Sequence, residues 1–189
     1  MGWERKRVLG TGNGRKRVMY QAGDMILYGR TGVCRVEEIT SVKQRGAEGE
    51  VRYYILKPLY QNCNITTPVD NTRVFSRPVI SREEAERILA EIPAVKAEPY
   101  HNRNLNQLRE YYKARMECYD CGELIKLTLS LYAKKREVEA QKRKFGAVDE
   151  RFMKEAEDLL FGELAVVLGL EREQIRVRVI SSLKSTDNP

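Results

Sequence analysis

The segment Met19-Tyr-Gln-Ala-Gly-Asp-Met-Ile-Leu-Tyr-Gly-Arg-Thr-Gly-Val-Cys-Arg-Val36 decides the fold of the first part of this 189-residue chain. In it, the turn pair Gly23-Asp24 precedes one short apolar run, and a second turn centred on Gly32 precedes another. Short apolar runs separated by Gly, Pro, Asn and Asp are typical of antiparallel strands in a small, strongly bent sheet or barrel. We therefore predict that residues 19–75 form a small β module.

The strand pattern continues through this module. The predicted strands are 24–28, 33–39, 51–58 and 65–68, with a polar hairpin tip at 41–49. A small sheet of this kind exposes strand edges, and such edges can pair with another protein. Residues 76–80, which include Pro78, are predicted to be a linker.

The chain after the linker has helical periodicity. Ser81 and Glu84 form a capping-box signature for a first helix, which Pro93 ends. Asp149 is predicted to cap a later helix, and Gly169 to end it. The remaining predicted helices are 102–117, 122–142 and 171–183.

These patterns define an α+β fold class with two domains. An N-terminal small antiparallel β-barrel is followed by a compact all-α bundle of four or five helices over residues 81–183. Residues 184–189 are a polar tail.

The net charge of +7 is concentrated at one end of the chain. Residues 1–18 contain six Lys and Arg against one Glu, so they carry five of the seven net positive charges. We expect this stretch to be a basic, disordered extension, which adds non-specific attraction to nucleic acid. The rest of the chain is nearly balanced.

Composition also excludes several classes of protein. No run approaches the roughly 20 apolar residues of a membrane span, and no apolar segment follows the basic N-terminus. We expect a cytoplasmic protein with no membrane partner. His101 is the single histidine, and no nucleophile or metal-protease motif is present. We therefore expect neither catalysis nor a cofactor, a metal or a small-molecule substrate.

The four cysteines leave one alternative open. Cys118 and Cys121 have the C-x-x-C spacing of a zinc half-site or a redox pair. A structural zinc site needs four ligands, and a redox pair normally follows a strand, whereas helical sequence lies on both sides here. Free thiols are therefore favoured over metal or redox use.

Two basic stretches are candidates for contact with nucleic acid. Arg103, Arg109, Lys113 and Arg115 lie along one predicted helix, and residues 134–144 contain six further cations. The polar sequence His101-Asn-Arg-Asn104 precedes the first of these helices, where backbone amides also favour phosphate. The alternative is an ordinary solvated helix surface. On the same helix, Leu105 and Leu108 are predicted to be core residues.

The order of these elements resembles the CarD family of bacterial RNA polymerase-binding transcription regulators. The similarity spans about residues 19–183 and is carried by several short motifs in the family's order. These are Gly23-Asp24 with Tyr28 and Gly32, Tyr54-Ile-Leu-Lys57, Pro68-Val-Asp-Asn71, Asp149-Glu-Arg-Phe152, Glu155-Ala-Glu-Asp-Leu-Leu160, and Glu163-Leu-Ala-Val-Val-Leu-Gly169.

The resemblance implies a Tudor-like barrel that binds the β subunit of RNA polymerase. The family's polymerase-contacting positions fall at Val42, Lys43, Asn64, Ile65 and Thr66. Family members place arginines within this set, whereas Val42 and Thr66 stand here, so we expect a less ionic contact.

The resemblance also implies that the helical domain contacts the minor groove of promoter DNA near the upstream edge of the melted bubble. The family uses a tryptophan wedge there, but the single tryptophan of this chain is Trp3. The equivalent position falls between His101 and Leu105. The predicted DNA-contacting residues are His101, Asn102, Arg103, Arg109, Lys113 and Arg151.

The sequence therefore predicts a transcription regulator that binds RNA polymerase through the barrel and modulates the stability of the open promoter complex. The alternative is a protein-interaction adaptor with a Tudor-like barrel and no role at DNA.

Overall fold

The structure is a computed structural model that describes residues 8–9, 17–43 and 50–184. The chain divides into two compact units, and the boundary lies between Val79 and Ile80. Most of the predicted basic extension lies outside the described residues. In the described part of this extension, β1 (Val8–Leu9) and β2 (Arg17–Val18) pair antiparallel. The tip of the predicted hairpin, residues 44–49, and the end of the polar tail also lie outside the described residues.

Five further strands form one antiparallel sheet in the first unit. They are β3 (Met25–Tyr28), β4 (Gly32–Lys43), β5 (Glu50–Pro58), β6 (Ile65–Pro68) and β7 (Ser76–Pro78). Their spatial order is β6-β5-β4-β3-β7. The residues predicted as a linker therefore begin with a strand. Pro78 is tolerated there because β7 lies at an edge of the sheet, where the missing N–H interrupts no further pairing.

The sheet is strongly bent, as predicted. The Tyr28 hydroxyl donates a hydrogen bond of 3.0 Å to the Thr67 hydroxyl oxygen, although two strands separate β3 from β6. In a flat sheet, three strand spacings would hold these backbones about 14 Å apart. The curvature encloses a core formed by Tyr20, Ile26, Tyr28, Cys34, Val36, Tyr54 and Leu56.

Glycines allow the sharp turns that open this sheet. Gly23 has a φ of 90° and Gly32 a φ of 87°, a region that residues with a β-carbon rarely adopt. The Gly23 N–H also donates to the Val36 carbonyl at 2.7 Å, which closes the first turn onto β4. The two turns predicted from the sequence are therefore present.

Five helices form the second unit. They are α1 (Arg82–Glu91), α2 (Leu105–Met116), α3 (Cys121–Ala140), α4 (Ala147–Leu168) and α5 (Arg172–Lys184). Their apolar faces enclose one core, with Tyr112, Leu124, Leu160 and Ile175 among its fully buried side chains. Within the described part of the chain, no helix has both the length and the apolar content needed to cross a bilayer.

The helix ends agree partly with the capping predictions. The Ser81 hydroxyl oxygen accepts a hydrogen bond of 3.1 Å from the Glu84 N–H, so Ser81 caps α1 as predicted. The Glu84 carboxylate, however, pairs with Arg87. Gly169 ends α4 with a left-handed φ of 67°.

The prediction that Asp149 caps α4 is wrong. The helix begins at Ala147, with Gly146 at the capping position, and Asp149 lies inside the first turn. Its carboxylate is buried and accepts hydrogen bonds from the Lys134 ammonium and the Tyr112 hydroxyl. The Asp149 carboxylate therefore bonds side chains of other helices, whereas the local sequence pattern predicted bonds to backbone amides of its own helix.

Candidate protein and nucleic-acid interfaces

A β-bulge in β4 determines which residues of the β4–β5 hairpin share a face. Before the bulge, Val36 pairs with the buried Leu56; after it, Glu38 pairs with Ile55. Directly paired residues of antiparallel strands project from the same face. The extra residue, Glu37, therefore shifts Val42 to the face opposite the side chains of Val36 and Leu56.

Six uncharged residues form what we call the outer sheet face. Val42 pairs with Val51, Thr40 with Tyr53, and Ile55 with Thr66 of β6. Val42 is 49% exposed, and Thr66 is also exposed. Because β6 ends the sheet order, this face borders a strand edge. The outer sheet face thus presents six uncharged residues beside an edge strand, and Glu38, which pairs with Ile55, lies on the same side of the sheet at the end of this group.

The structure places two of the five predicted polymerase-contacting residues on one face of the sheet. Val42 and Thr66 both lie on the outer sheet face. Lys43 is exposed, but it pairs with Glu50 and therefore projects from the opposite face to Val42. Ile65 pairs with Leu56, and its side chain packs against the barrel core. Asn64 is exposed just before β6.

Sequence reasoning missed Val51, Tyr53 and Ile55. The apolar run Tyr53-Tyr-Ile-Leu56 does not alternate with polar residues, so its pattern could not show which face meets solvent. A strand buried on one face needs an apolar residue only at every second position. The unbroken apolar run therefore indicated that the second face of this strand also makes apolar contacts.

The segment before α2 is held in one conformation by the Asn102 side chain. Its amide oxygen accepts from the Asn104 N–H at 2.8 Å, and its amide nitrogen donates to the Tyr100 hydroxyl and to Gln107, each at 3.1 Å. Asn104 then caps α2 by accepting from the N–H groups of Asn106 and Gln107. Asn102 therefore organises the segment from within.

His101 connects this segment to α3. Its Nε2 atom lies 2.9 Å from a carboxylate oxygen of Glu137, and both side chains are about half exposed. The hydrogen bond with His101 is the main cause that holds the pKa of Glu137 below its usual value, and the charge of Arg143 lowers it further. The predicted DNA-contacting segment thus lies against the second half of α3.

Helix α2 carries two distinct stripes of side chains. Leu108, Tyr112 and Met116 face the core at four-residue steps. Leu105, predicted as core, is instead 53% exposed, so that prediction is wrong, whereas it is confirmed for Leu108. Leu105 is the first residue of the helix, one turn before the earliest inward position. Arg109 and Lys113 follow Leu105 at four-residue steps, next to one another on the helix surface.

The predicted cations differ in their surroundings. Among the described residues, Arg103 forms no ion pair and Arg109 donates to the amide oxygen of Asn106 at 2.9 Å. Lys113 pairs with Glu110 at 3.1 Å, and Arg151, on α4, pairs with Glu155 at 2.8 Å. Of these four cations, Arg103 and Arg109, near the start of α2, are therefore the ones without an ion pair among the described residues.

All four cysteines are free thiols. Cys63 and Cys118 are exposed, whereas Cys34 and Cys121 are buried. The Cys121 thiol lies 3.1 Å from a carboxylate oxygen of the buried Glu163. No group of three or more His, Cys, Asp or Glu side chains that could hold a metal occurs in residues 8–9, 17–43 and 50–184.

Comparison with known families identifies the β unit. Residues 20–80 match the family model described as the CarD-like/TRCF RID domain. The match connects this unit to RNA polymerase interaction and to transcription, and it confirms the predicted resemblance for this part of the chain. No curated protein matches the chain significantly.

Proposed function

We propose that this chain, whose residues 20–80 form a CarD-like RNA polymerase-interacting domain, is a bacterial transcription regulator without enzymatic activity. In this proposal the domain docks on the β subunit of the polymerase in the cytoplasm, and residues 81–183 contact promoter DNA. The observation that carries the proposal is the outer sheet face, a group of six uncharged residues that borders an edge strand within the matched domain.

Strand addition and apolar contact suit this surface. The edge of β6 offers main-chain groups to a partner strand, and Tyr53 and Ile55 of the neighbouring β5 offer side-chain contact beside it. Val42, on β4, extends the same face further from that edge. None of the six residues of the outer sheet face is charged. Docking through them would lose little affinity when salt screens charge interactions.

Leu105 supports the DNA half of the proposal. It is a large apolar side chain, 53% exposed, at the end of the interval where the family resemblance puts the wedge. Apolar wedges stabilise opened base steps by occupying the space between them. Arg103 before Leu105 and Arg109 one turn after it are cations that would contact the flanking phosphates.

The proposed mechanism is a shift of an existing equilibrium. A protein that binds the open promoter complex more tightly than the closed complex favours opening by the difference in binding free energy. A tenfold change in the open population requires about 1.4 kcal/mol. A wedge and a few phosphate contacts made only in the open complex can supply that difference.

The second candidate is a polymerase-binding adaptor with no DNA role. The pairing of Lys113 with Glu110 and of Arg151 with Glu155 favours it, because paired cations attract phosphate less. The two candidates share the polymerase contact and differ only in what residues 81–183 do.

The polymerase contact is tested by two neighbouring substitutions in the full chain. Val42→Glu inserts a charge into the outer sheet face, whereas Ser41→Glu inserts the same charge on the next residue, whose side chain points to the other face. We expect Val42→Glu to weaken binding to core polymerase by tenfold or more and Ser41→Glu to leave it within twofold, measured by interferometry. Equal effects of the two substitutions, or binding that weakens steeply between 50 and 300 mM salt, would contradict docking through this face.

A further inference from the structure

One end of the barrel carries several exposed apolar side chains. Seven large hydrophobic side chains are exposed among the described residues, and Leu59, Tyr60 and Phe75 are three of them. The Leu59 N–H donates to the Val33 carbonyl at 3.0 Å. The Phe75 carbonyl accepts from the Gly29 N–H at 2.8 Å. The β5–β6 connection and the residues before β7 therefore both border the turn between β3 and β4.

Arg30 lies in this turn, which is fixed to the strands on both sides. The turn is a single helical turn, Gly29–Thr31, that joins β3 to β4. Tyr28, at the end of β3, pairs with Gly32 of β4 and with Ser76 of β7. The exposed Arg30 side chain therefore starts from an ordered backbone, which lowers the entropy cost of an ordered contact with a partner.

Positive charge is concentrated at the same end of the barrel. The segments that form this end are 29–33, 57–64 and 72–76. They contain three exposed cations, Arg30, Lys57 and Arg73, and no carboxylate. The other described residues between 19 and 79 contain four cations and five carboxylates, of which Asp70 is the nearest along the chain. The described β unit therefore has one positive end and a weakly negative remainder.

We infer that this end of the barrel is a docking surface for a short acidic segment of a partner protein, which carries an apolar anchor residue among its carboxylates. We call the surface the basic end, and it consists of Arg30, Leu59, Tyr60, Arg73 and Phe75. The inference goes beyond the proposed polymerase and DNA contacts, because none of these five residues belongs to either. Val42 of the outer sheet face lies at the other end of β4 from the turn that holds Arg30.

The composition of the basic end favours a protein partner of this kind. Aromatic residues and arginine are enriched in the centres of protein interfaces, where Asp and Glu are depleted. Guanidinium groups bind carboxylates through two parallel hydrogen bonds, so Arg30 and Arg73 suit an acidic partner. Aromatic and basic side chains also bind single-stranded nucleic acid, but that contact needs a positively charged groove that follows several nucleotides. Three cations beside an aliphatic Leu59 suit a short peptide segment better.

A titration followed by nuclear magnetic resonance maps the site on the full chain. The probe is a short peptide in which glutamates flank a central Trp-Leu pair, added to isotope-labelled protein. We expect the largest saturable shifts at the backbone amides of residues 29–33, 57–64 and 72–76. If the largest saturable shifts lie elsewhere, or no shift saturates at millimolar peptide, the inference is wrong.

Two double variants that lose equal charge test the cations. Arg30→Ala with Arg73→Ala removes two charges from the basic end. Lys43→Ala with Arg52→Ala removes two exposed charges from the other end of the β4–β5 pair. We expect the first variant to bind the peptide at least tenfold more weakly and the second to stay within twofold of the unaltered chain, measured by fluorescence anisotropy. Equal affinities of the two double variants would overturn the inference.

The apolar contact is tested from both partners. Phe75→Ala and, separately, Tyr60→Ala should each weaken peptide binding at least threefold, with melting temperatures that show which variant remains folded. A peptide with alanines in place of the Trp-Leu pair should lose at least as much affinity for the unaltered chain. A peptide with glutamines in place of its glutamates should lose more. Affinity that is insensitive to all of these changes would refute a specific site.

Two comparisons separate the basic end from other surfaces. An oligothymidylate with the same net charge as the peptide should bind more weakly than the peptide; tighter binding would indicate a nucleic-acid surface and overturn the inference. Val42→Glu should leave peptide affinity within twofold, whereas a tenfold loss would assign the peptide to the outer sheet face. Because these assays contain neither polymerase nor promoter DNA, their failure would leave the proposed function standing.

Discussion

Lys134 and Asp149 form an ion pair in the interior of the helical unit, with 2.8 Å between the ammonium nitrogen and the carboxylate oxygen. The two residues are only 5% and 6% exposed. The Tyr112 hydroxyl donates to the same carboxylate oxygen at 2.6 Å. These three side chains come from α2, α3 and α4, so one buried polar cluster joins the helices that carry Arg109, Glu137 and Arg151.

Lys134→Met should destabilise the helical unit strongly. The substitution leaves the Asp149 carboxylate buried without its cation, which typically costs about 3–5 kcal/mol. Urea unfolding measures the loss. As a control, Glu86→Gln breaks the exposed Arg82–Glu86 pair and should cost less than about 0.5 kcal/mol. Combining Lys134→Met with Asp149→Leu should recover most of the stability; failure to recover any would show that the pair itself, rather than the orphaned charge, matters.

Leu105→Ala should shorten the lifetime of the open promoter complex without destabilising the protein. The side chain is 53% exposed, so its truncation removes little core packing, whereas a wedge would lose most of the surface that it presents to DNA. Val177→Ala truncates another apolar residue of similar exposure, 55%, on α5, and should have no effect. Competitor-challenge assays with polymerase and promoter DNA compare the two. Unchanged lifetimes for both variants favour the adaptor.

The stability of the β unit should fall at alkaline pH in a way that depends on Cys34. Burial raises the pKa of this thiol to about 12, from an ordinary value of 9.0. A raised pKa means that the folded state holds the proton more tightly, so its contribution is complete below pH 9 and is lost as pH rises towards 12.

Denaturant unfolding at pH 8 and pH 10 checks this expectation. The unaltered chain should lose about 1 kcal/mol more than the Cys34→Ala variant between the two pH values. Comparing the variant with the unaltered chain at each pH removes the contribution of the tyrosines. Cys118 lies in the helical unit and takes no part in this effect, so Cys118→Ala should leave the pH dependence of the β unit unaltered. An identical pH dependence in all three proteins would refute the assignment to Cys34.

Gly169→Ala should destabilise the helical unit by about 1 kcal/mol through the backbone alone. A β-carbon at this position would meet no atom within 4 Å, so the cost comes from the φ of 67° rather than from a clash. Thermal melts of Gly169→Ala and Gly169→Asn compare the two effects, because asparagine tolerates the left-handed region better. A clash-driven cost would make asparagine the worse of the two.

Features set by neighbours along the chain were accessible to sequence reasoning. The turns at Gly23 and Gly32, the cap at Ser81 and the end of α4 at Gly169 follow from local backbone preferences and from single hydrogen bonds within a few residues. The inward stripe containing Leu108, which has the period of a helix, was equally predictable. The two-domain α+β fold follows from these local signals taken together.

Features set by partners distant in sequence required the tertiary structure. The bulge at Glu37 depends on how β4 aligns with β5, and it alone decides that Val42 shares a face with Ile55 and Thr66. Asp149 resembles a cap in sequence, yet Lys134 and Tyr112 surround its carboxylate in the folded unit. Strand alignment and burial depend on contacts between segments, so periodicity within one segment could predict a hydrophobic stripe but could not show where the core ends and solvent begins.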